Sequence, residues 1–409
     1  MTENAYFVGR ESALAQIHQH FTRTQHTQAL TIVGRARIGK TALLQQVDAI
    51  VDPMVAWVLF VPLREAPLDS EETWLRYLFG LALDAAVGHG FTRERLPAPP
   101  DSVPDFRAWL QQTGFPEFFH VIRGARRVLY LLDNSGALID AIQRGRLPAD
   151  HGAYLRDLLQ PQLDMILSIS EANETRLSAL VPLVNPAETV RLKRLTRIEI
   201  KALASLIAGE PVANDAAAAL YTASGGQPDL AQRIAQTHRP GAVSTSSIKA
   251  AAATVYTESG DFFRQEWDTL TANEQIVLTA IARILYDDPL ARVSADQITD
   301  WLHDTDDPLD QTAVNAALRG LDYAEIIEHS TNGFVPRSGL MQRWLMENAR
   351  LAPRKAAAPP SREQSRALWA VIALGGLILL ALLAALVLGG LPAPVIDATI
   401  APTVPLTSP

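Results

Sequence analysis

The 409-residue chain contains no cysteine, which excludes disulfides, thiolate nucleophiles and cysteine-ligated zinc. No apolar stretch follows Met1, so a cleaved secretory signal is not expected. A surplus of cations is also missing. With 36 Lys and Arg against 44 Asp and Glu the net charge is −8, and nothing draws the whole chain toward nucleic acid. The nine histidines are scattered, and His18 and His20, two apart in a helical pattern, point to different faces. No serine stands in G-x-S-x-G, and no N-K-x-D pattern supports guanine recognition. The acidic run "DTDDPLD" (304–310) lacks the glycine and terminal glutamate of a calcium loop and reads as a solvated turn. What is present is a chain with 48% hydrophobic residues, enough for two or three folded domains.

The apolar residues are ordered along the chain. Leu14, Ile17 and Phe21 share one face of a helical pattern over 11–21. Short apolar runs then recur as "ALTIV" (29–33), "VAWVLFV" (55–61), "RVLYLL" (127–132), "DMILSIS" (164–170) and "ETVRL" (188–192). Near-continuous apolar strands alternating with helices predict a parallel sheet covered on both faces, an α/β core over 1–194. Residues 195–258 read as wholly helical, broken by Gly209, Gly225, Gly226 and Pro240. Over 259–350, Thr271 and Ser294 cap two helices and "LDQTAVNAALRGL" gives a third. "AEIIEHSTNGFVPR" then turns as a hairpin at Asn332-Gly333. Three helices and a hairpin predict a winged helix-turn-helix.

The Ala/Pro-rich segment 351–366 reads as a semi-extended linker. Beyond it, 367–396 contains no charged residue, and its centre "LWAVIALGGLILLALLAALVLGGL" is long enough to cross a hydrocarbon core of ~30 Å. One transmembrane helix is expected over 367–391, followed by a short Pro/Thr-rich tail over 392–409. Arg354, Lys355, Arg362 and Arg366 precede it and only Asp397 follows. The expected topology is therefore single-pass in the cell membrane, with the N-terminal domains cytoplasmic.

Between the first strand and the next helix stands "GRARIGKT" (34–41), a match to G-x-x-x-x-G-K-[ST] in the strand-loop-helix context that this motif needs. Backbone N–H groups from Gly34 to Ala42 would converge on phosphate oxygens, helped by the following helix N-terminus. Gly34 and Gly39 keep side chains out of that approach. Lys40 would pair with the β- and γ-phosphates, and Thr41 would ligate Mg2+. "RRVLYLLDNS" ends an apolar strand in Asp133, the position from which a carboxylate reaches that Mg2+.

With "FVGRES", "GRARIGKTALL", "LYLLD" and "SGGQPDL" in this order, the chain resembles the AAA+ and STAND-type P-loop ATPases, including archaeal-type ATPases related to origin-recognition proteins. The resemblance covers about Tyr6 to Arg350 and implies a P-loop core, a helical lid and a winged helix, in that order. It implies that Val8, Gly9 and Arg10 pack by the adenine of ATP and that Gly226 and Pro228, in the lid's G-x-P, close over it. Ser170 and Asn173 stand where the family places a polar γ-phosphate sensor, with Arg176 as a nearby catalytic arginine. One departure matters. The family's second acidic residue after Asp133 is here Asn134, which can orient water but cannot take its proton, so slow hydrolysis is expected.

The segment 261–350 holds 7 Lys and Arg against 16 Asp and Glu, and its candidate recognition helix offers only Arg319 as a cation. Phosphate neutralisation dominates DNA affinity, so duplex DNA is disfavoured and a basic protein partner is favoured. These features together predict a membrane-anchored, ATP-loaded switch or scaffold in signalling, open to self-association. The competing classes are a membrane-tethered winged-helix DNA regulator and a rapidly cycling oligomeric motor. The charge of 261–350 opposes the first and Asn134 the second. The membrane expectation has a direct check: the full-length chain should stay in the membrane pellet through carbonate extraction, whereas a chain ending at Ala358 should appear in the supernatant.

Overall fold

The computed structural model describes residues 6–23, 27–122, 126–237, 243–286, 288 and 291–349. The expected membrane helix, its linker and its tail lie outside them. Among the described residues, no helix is long and apolar enough to cross a membrane. All elements named below belong to one compact unit; of the described residues the second unit holds only Asp304–Asp307.

The first part alternates helices and strands: α1 (Glu11–Phe21), β1 (Ala29–Gly34), α2 (Lys40–Ile50), β2 (Ala56–Pro62), α3 (Glu71–Gly88), α4 (Phe106–Trp109), α5 (Phe115–Val121), β3 (Arg127–Asp133), α6 (Gly136–Gln143), α7 (His151–Leu158), β4 (Leu163–Ser170) and β5 (Val184–Arg191). The five strands form one sheet in the order β2-β3-β4-β1-β5, and every pairing is parallel. Strand periodicity divides the apolar residues between two faces. Leu30, Ile32, Leu129, Leu131 and Ile166 pack with α1 and α2. Val33, Val128, Tyr130, Leu132, Met165 and Leu167 pack with α3 to α7. Both faces are thus covered, which is why the strands read as continuous apolar runs. β5 begins earlier than its apolar half suggests, and its pairing to β1 is irregular; its Pro186 has no N–H to give a ladder.

The second part is helical: α8 (Arg197–Ala208), α9 (Asn214–Ser224), α10 (Pro228–Thr237), α11 (Thr245–Glu258), α12 (Gly260–Asp268), α13 (Ala272–Ile284), α14 (Ala295–His303) and α15 (Gln311–Tyr323). The hairpin β6 (Ile327–Ser330) and β7 (Gly333–Pro336) follows, then α16 (Gly339–Asn348). Thr196 with Glu199 and Thr271 with Glu274 make reciprocal capping boxes, and the Oγ of Ser294 accepts from the Gln297 N–H. Each such cap is worth ~1 kcal/mol. The residues separating the two expected helical domains do not separate two cores. Leu195, Leu220, Ile234, Val255, Phe263, Leu278, Leu318, Ile327 and Trp344 belong to one continuous apolar cluster. A rearrangement between α8–α11 and α12–α16 would expose that cluster, so the helical part is built to respond as one body.

Candidate functional site

The parallel sheet carries the site at the C-terminal edge of its strands. In register, Gly34 lies beside Ser170 and Pro62 beside Asp133. β4 runs between β1 and β3, so the loop after β1 and the carboxylate ending β3 face each other across it. Ser168 of β4, fully buried, fixes the arrangement. Its hydroxyl donates to Asp133 Oδ1 at 2.5 Å and accepts from the Asn134 N–H at 2.8 Å. The other oxygen, Asp133 Oδ2, accepts from Thr41 Oγ1 at 2.9 Å. A threonine hydroxyl bonded to a carboxylate at the mouth of a P-loop is the oxygen pair that a hard divalent cation takes up with phosphate oxygens and water. Among the described residues no group of three or more His, Asp or Glu gathers elsewhere as a metal site.

The loop itself turns through Arg37 at φ +57° and Gly39 at φ +96°. At Gly39 no neighbour would obstruct a side chain; the left-handed backbone is what calls for glycine. Gly34 is constrained differently, because a Cβ there would meet Ile38 Cγ2 at 2.8 Å and Leu192 Cβ at 3.3 Å. Its small size lets the loop seat on its own isoleucine and on the chain leaving β5.

Lys40 folds back over the loop, with Nζ donating to the carbonyls of Gly34 at 2.8 Å and Arg35 at 2.7 Å. Burial lowers its pKa from the usual lysine range to about 8, against the opposing pull of Asp133 and Glu171. A cleft of about 870 Å³ opens beside it. Lys40, Thr41, Ala42 and Gly39 line one wall, Val8 and Arg10 another, and Pro228, the first residue of α10, a third. The size suits a nucleotide. Mg2+-ATP fits the donor set: backbone N–H groups and Lys40 for its phosphates, Thr41 and Asp133 for the metal. When bound, the nucleotide would supply the transferable γ-phosphoryl and the metal would neutralise its charge.

Several expected residues lie elsewhere. Arg10 lines the cleft, but its guanidinium holds the scaffold, donating to Lys193 O at 2.7 Å and Ile38 O at 2.9 Å; burial pushes its pKa down. Gly9 and Gly226 are absent from the cleft lining. Gly9 backs onto Glu199, and Gly226 onto the Leu195 carbonyl, which a Cβ would meet at 2.3 Å. Arg176 is not brought to the cleft: it bonds to Asp140 at 2.5 Å, to Asn173 at 2.9 Å and to Gln143. Asn173 is occupied by the same arginine. Asn134 adopts φ +64°, a left-handed backbone that asparagine tolerates better than most residues. Its identity thus has a conformational reason as well as a chemical consequence.

Other residues of the site are not signalled by the motif. Arg35, Ala36 and Arg37 occupy variable positions of the loop, and the helical part grips all three. Arg35 Nη1 donates to Ala324 O and its Nη2 to Thr269 Oγ1, both at 3.3 Å, while its Nε lies 3.6 Å from Glu266 Oε1. Gln227 Nε2 donates to Ala36 O at 3.1 Å. Arg37 pairs with Asp229 at 3.3 Å and stacks over Phe262. The only sequence hint is the presence of two arginines inside a phosphate loop. Ser168 gives less, a lone hydroxyl in an apolar strand.

Lys40 carries the most direct test. Its replacement by Ala should remove most Mg2+-ATP binding in calorimetry. In the wild type, affinity should be nearly flat below pH 7 and weaken toward tenfold per unit as pH rises above about 8, where the free protein loses the lysine charge. A pH-independent affinity, or equal affinity in Lys40→Ala, would refute the role given to this amine.

No family model and no curated protein matches the chain. Solved structures do. A Walker-type ATPase of Pyrococcus abyssi is similar at 14% identity with a TM-score of 0.55, over 83% of this chain and 96% of that one. Lower TM-scores, which bear no weight here, relate the chain to Cdc6p from Pyrobaculum aerophilum (0.38, 14% identity, 86% of this chain and 99% of that). They also relate it to RuvB from Thermotoga maritima (0.40, 12% identity, 82% and 96%). The chain has the P-loop ATPase fold, and the AAA+-type resemblance carried by its motifs is matched at the level of fold by a Walker-type ATPase over most of its length.

Proposed function

We propose that this protein is a membrane-anchored ATP-binding switch, in which occupancy of the P-loop by Mg2+-ATP decides whether the helical part stays clasped to the loop. The observation that carries this reading is the grip of the helical part on Arg35, Ala36 and Arg37. A ligand shifts a conformational equilibrium only through contacts that differ between the two states. Phosphates arriving at the loop place negative charge beside Arg37, which lines the cleft and is engaged by Asp229, and on the same loop that carries Arg35, engaged by Glu266. The carboxylates and the nucleotide then compete for the same cations.

Turnover should be slow, because Asp133 is committed to Thr41 and Ser168 and the next residue, Asn134, has no proton-accepting carboxylate. Long loading suits a switch better than a motor. We read α8–α11 as the lid and α13–α15 with β6 and β7 as a winged helix. The excess acid of 261–350 favours a basic protein partner over duplex DNA. The charge-free segment 367–391 supplies the anchor, with Arg354, Lys355, Arg362 and Arg366 keeping the ATPase on the cytoplasmic side.

The competition has a measurable outcome. Glu266→Gln removes the charge that holds Arg35 and should tighten Mg2+-ATP binding by about tenfold, equivalent to ~1.4 kcal/mol. Asp229→Asn should act in the same direction. Unchanged or weaker ATP affinity in both variants, with melting showing them folded, would refute the clasp.

A further inference from the structure

A second cavity, of about 690 Å³, lies on the far side of Arg10 and Leu195 from the nucleotide cleft. Its walls are the segment from Gly9 to Ala13, the connection from β5 into α8, Tyr221 of α9 and the residues flanking the hairpin. In a chain of net charge −8 it is lined by six cationic side chains and three glutamates. The glutamates are already engaged. Glu199 accepts from the Thr196 N–H in its capping box, Glu325 accepts from the Arg194 N–H at 2.8 Å, and Glu328 pairs with Arg292 at 2.9 Å.

Of the cations, Arg191 pairs with Glu171 and Glu174 and Arg10 donates to two backbone carbonyls, whereas Arg194, Arg337 and Arg197 are less well matched. Arg194 has a side chain only 3% exposed, and one of its Nη atoms bonds to Glu266, yet its Nε–H has no partner among the described residues. Arg337 is the second case: its Nε is buried and unpartnered, and no ion pair reaches its guanidinium among the described residues. Arg197 is held by stacking over the Tyr221 ring rather than by an acid. Burial pushes the pKa of Arg194 down, and the neighbouring charges of Arg35 and Arg337 act in the same direction. Those two N–H groups are closed off within the wall, so what the cavity presents is a local surplus of guanidinium charge that an anion would neutralise.

We propose that this cavity binds a small, soluble, multiply charged phosphate compound, separate from the nucleotide, between Arg194, Arg197 and Arg337. Guanidinium forks match phosphate oxygens in geometry and charge, which the ammonium of a lysine does less well. The recessed position of Arg194 favours a free anion over a group presented on a membrane or another protein. The site is also wired to the nucleotide loop. Glu266 takes both Arg194 and Arg35, so an anion that engages Arg194 weakens its hold on Glu266 and leaves that carboxylate freer to hold Arg35.

Pyrophosphate is a suitable probe, titrated by calorimetry into the full-length chain carrying Lys40→Ala, which silences the P-loop. Saturable binding should persist in that background. Adding Arg337→Met should weaken it at least tenfold, while Arg337→Lys, which keeps the charge, should weaken it less. Because Arg337 has no side-chain partner among the described residues, melting of the Met variant should match that of its parent. Arg197→Met, at an exposed position, gives an independent loss. No binding in the Lys40→Ala chain, or equal affinity with and without Arg337 and Arg197, would overturn the proposal. The first result would mean that pyrophosphate recognises only the nucleotide loop.

Discussion

The carboxylate of Glu266 sits between two arginines, Arg194 at 3.0 Å and Arg35 at 3.6 Å, and all three side chains are largely out of water. Arg35 belongs to the P-loop, Arg194 to the connection between β5 and α8, and Glu266 to α12. Three parts of the fold therefore meet at one charge. Removing one partner of such a buried pair leaves an uncompensated ion and costs ~3–5 kcal/mol.

The rest of the site is arranged around the same edge. Ser168 locks Asp133, Asp133 locks Thr41, and Lys40 is folded onto its own loop carbonyls. Each group is held by a neighbour that a phosphate or a divalent ion can replace, so the protein alone is already ordered for the ligand. The helical part cannot adjust piecemeal, because its helices share one apolar core from Leu195 to Ala349. Arg35 and Arg37 thus make their contacts with a part of the fold whose α8–α11 and α12–α16 share one core. Glu266 joins Arg35 of the P-loop to Arg194 in the wall of the second, cation-rich cavity.

The sequence made the local features legible. β1, β3 and β4 read as apolar runs because both faces of a parallel sheet are buried, and their observed bounds fall within a residue of the runs. The loop from Gly34 to Thr41 was legible because its backbone chemistry imposes fixed residue types at fixed spacing. The hairpin was announced by Asn332-Gly333, although its turn is one residue earlier, at Thr331-Asn332, and Gly333, with φ +117°, already opens β7. Contacts over long separations were not legible. Arg35 and Glu266 are more than two hundred positions apart, and no periodicity links them. Arg176 shows the converse: its chain position suggested the phosphates, while its guanidinium bonds to Asp140, Asn173 and Gln143. The single apolar core of the helical part was equally hidden, since composition shows where helices occur and not which of them share a core.

The absence of cysteine offers a clean way to test whether nucleotide occupancy rearranges the helical part. Asp48 on α2 and Asn332 in the turn between β6 and β7 are both exposed. Their replacement by Cys gives a chain with two, and only two, thiols for spin labels. The distance distribution between them, measured by pulsed electron spin resonance, should shift when Mg2+-ATP is added to the full-length protein. The shift should be absent in the same chain carrying Lys40→Ala. A distribution that stays the same with and without Mg2+-ATP, in a protein shown by calorimetry to have bound it, would contradict the switch.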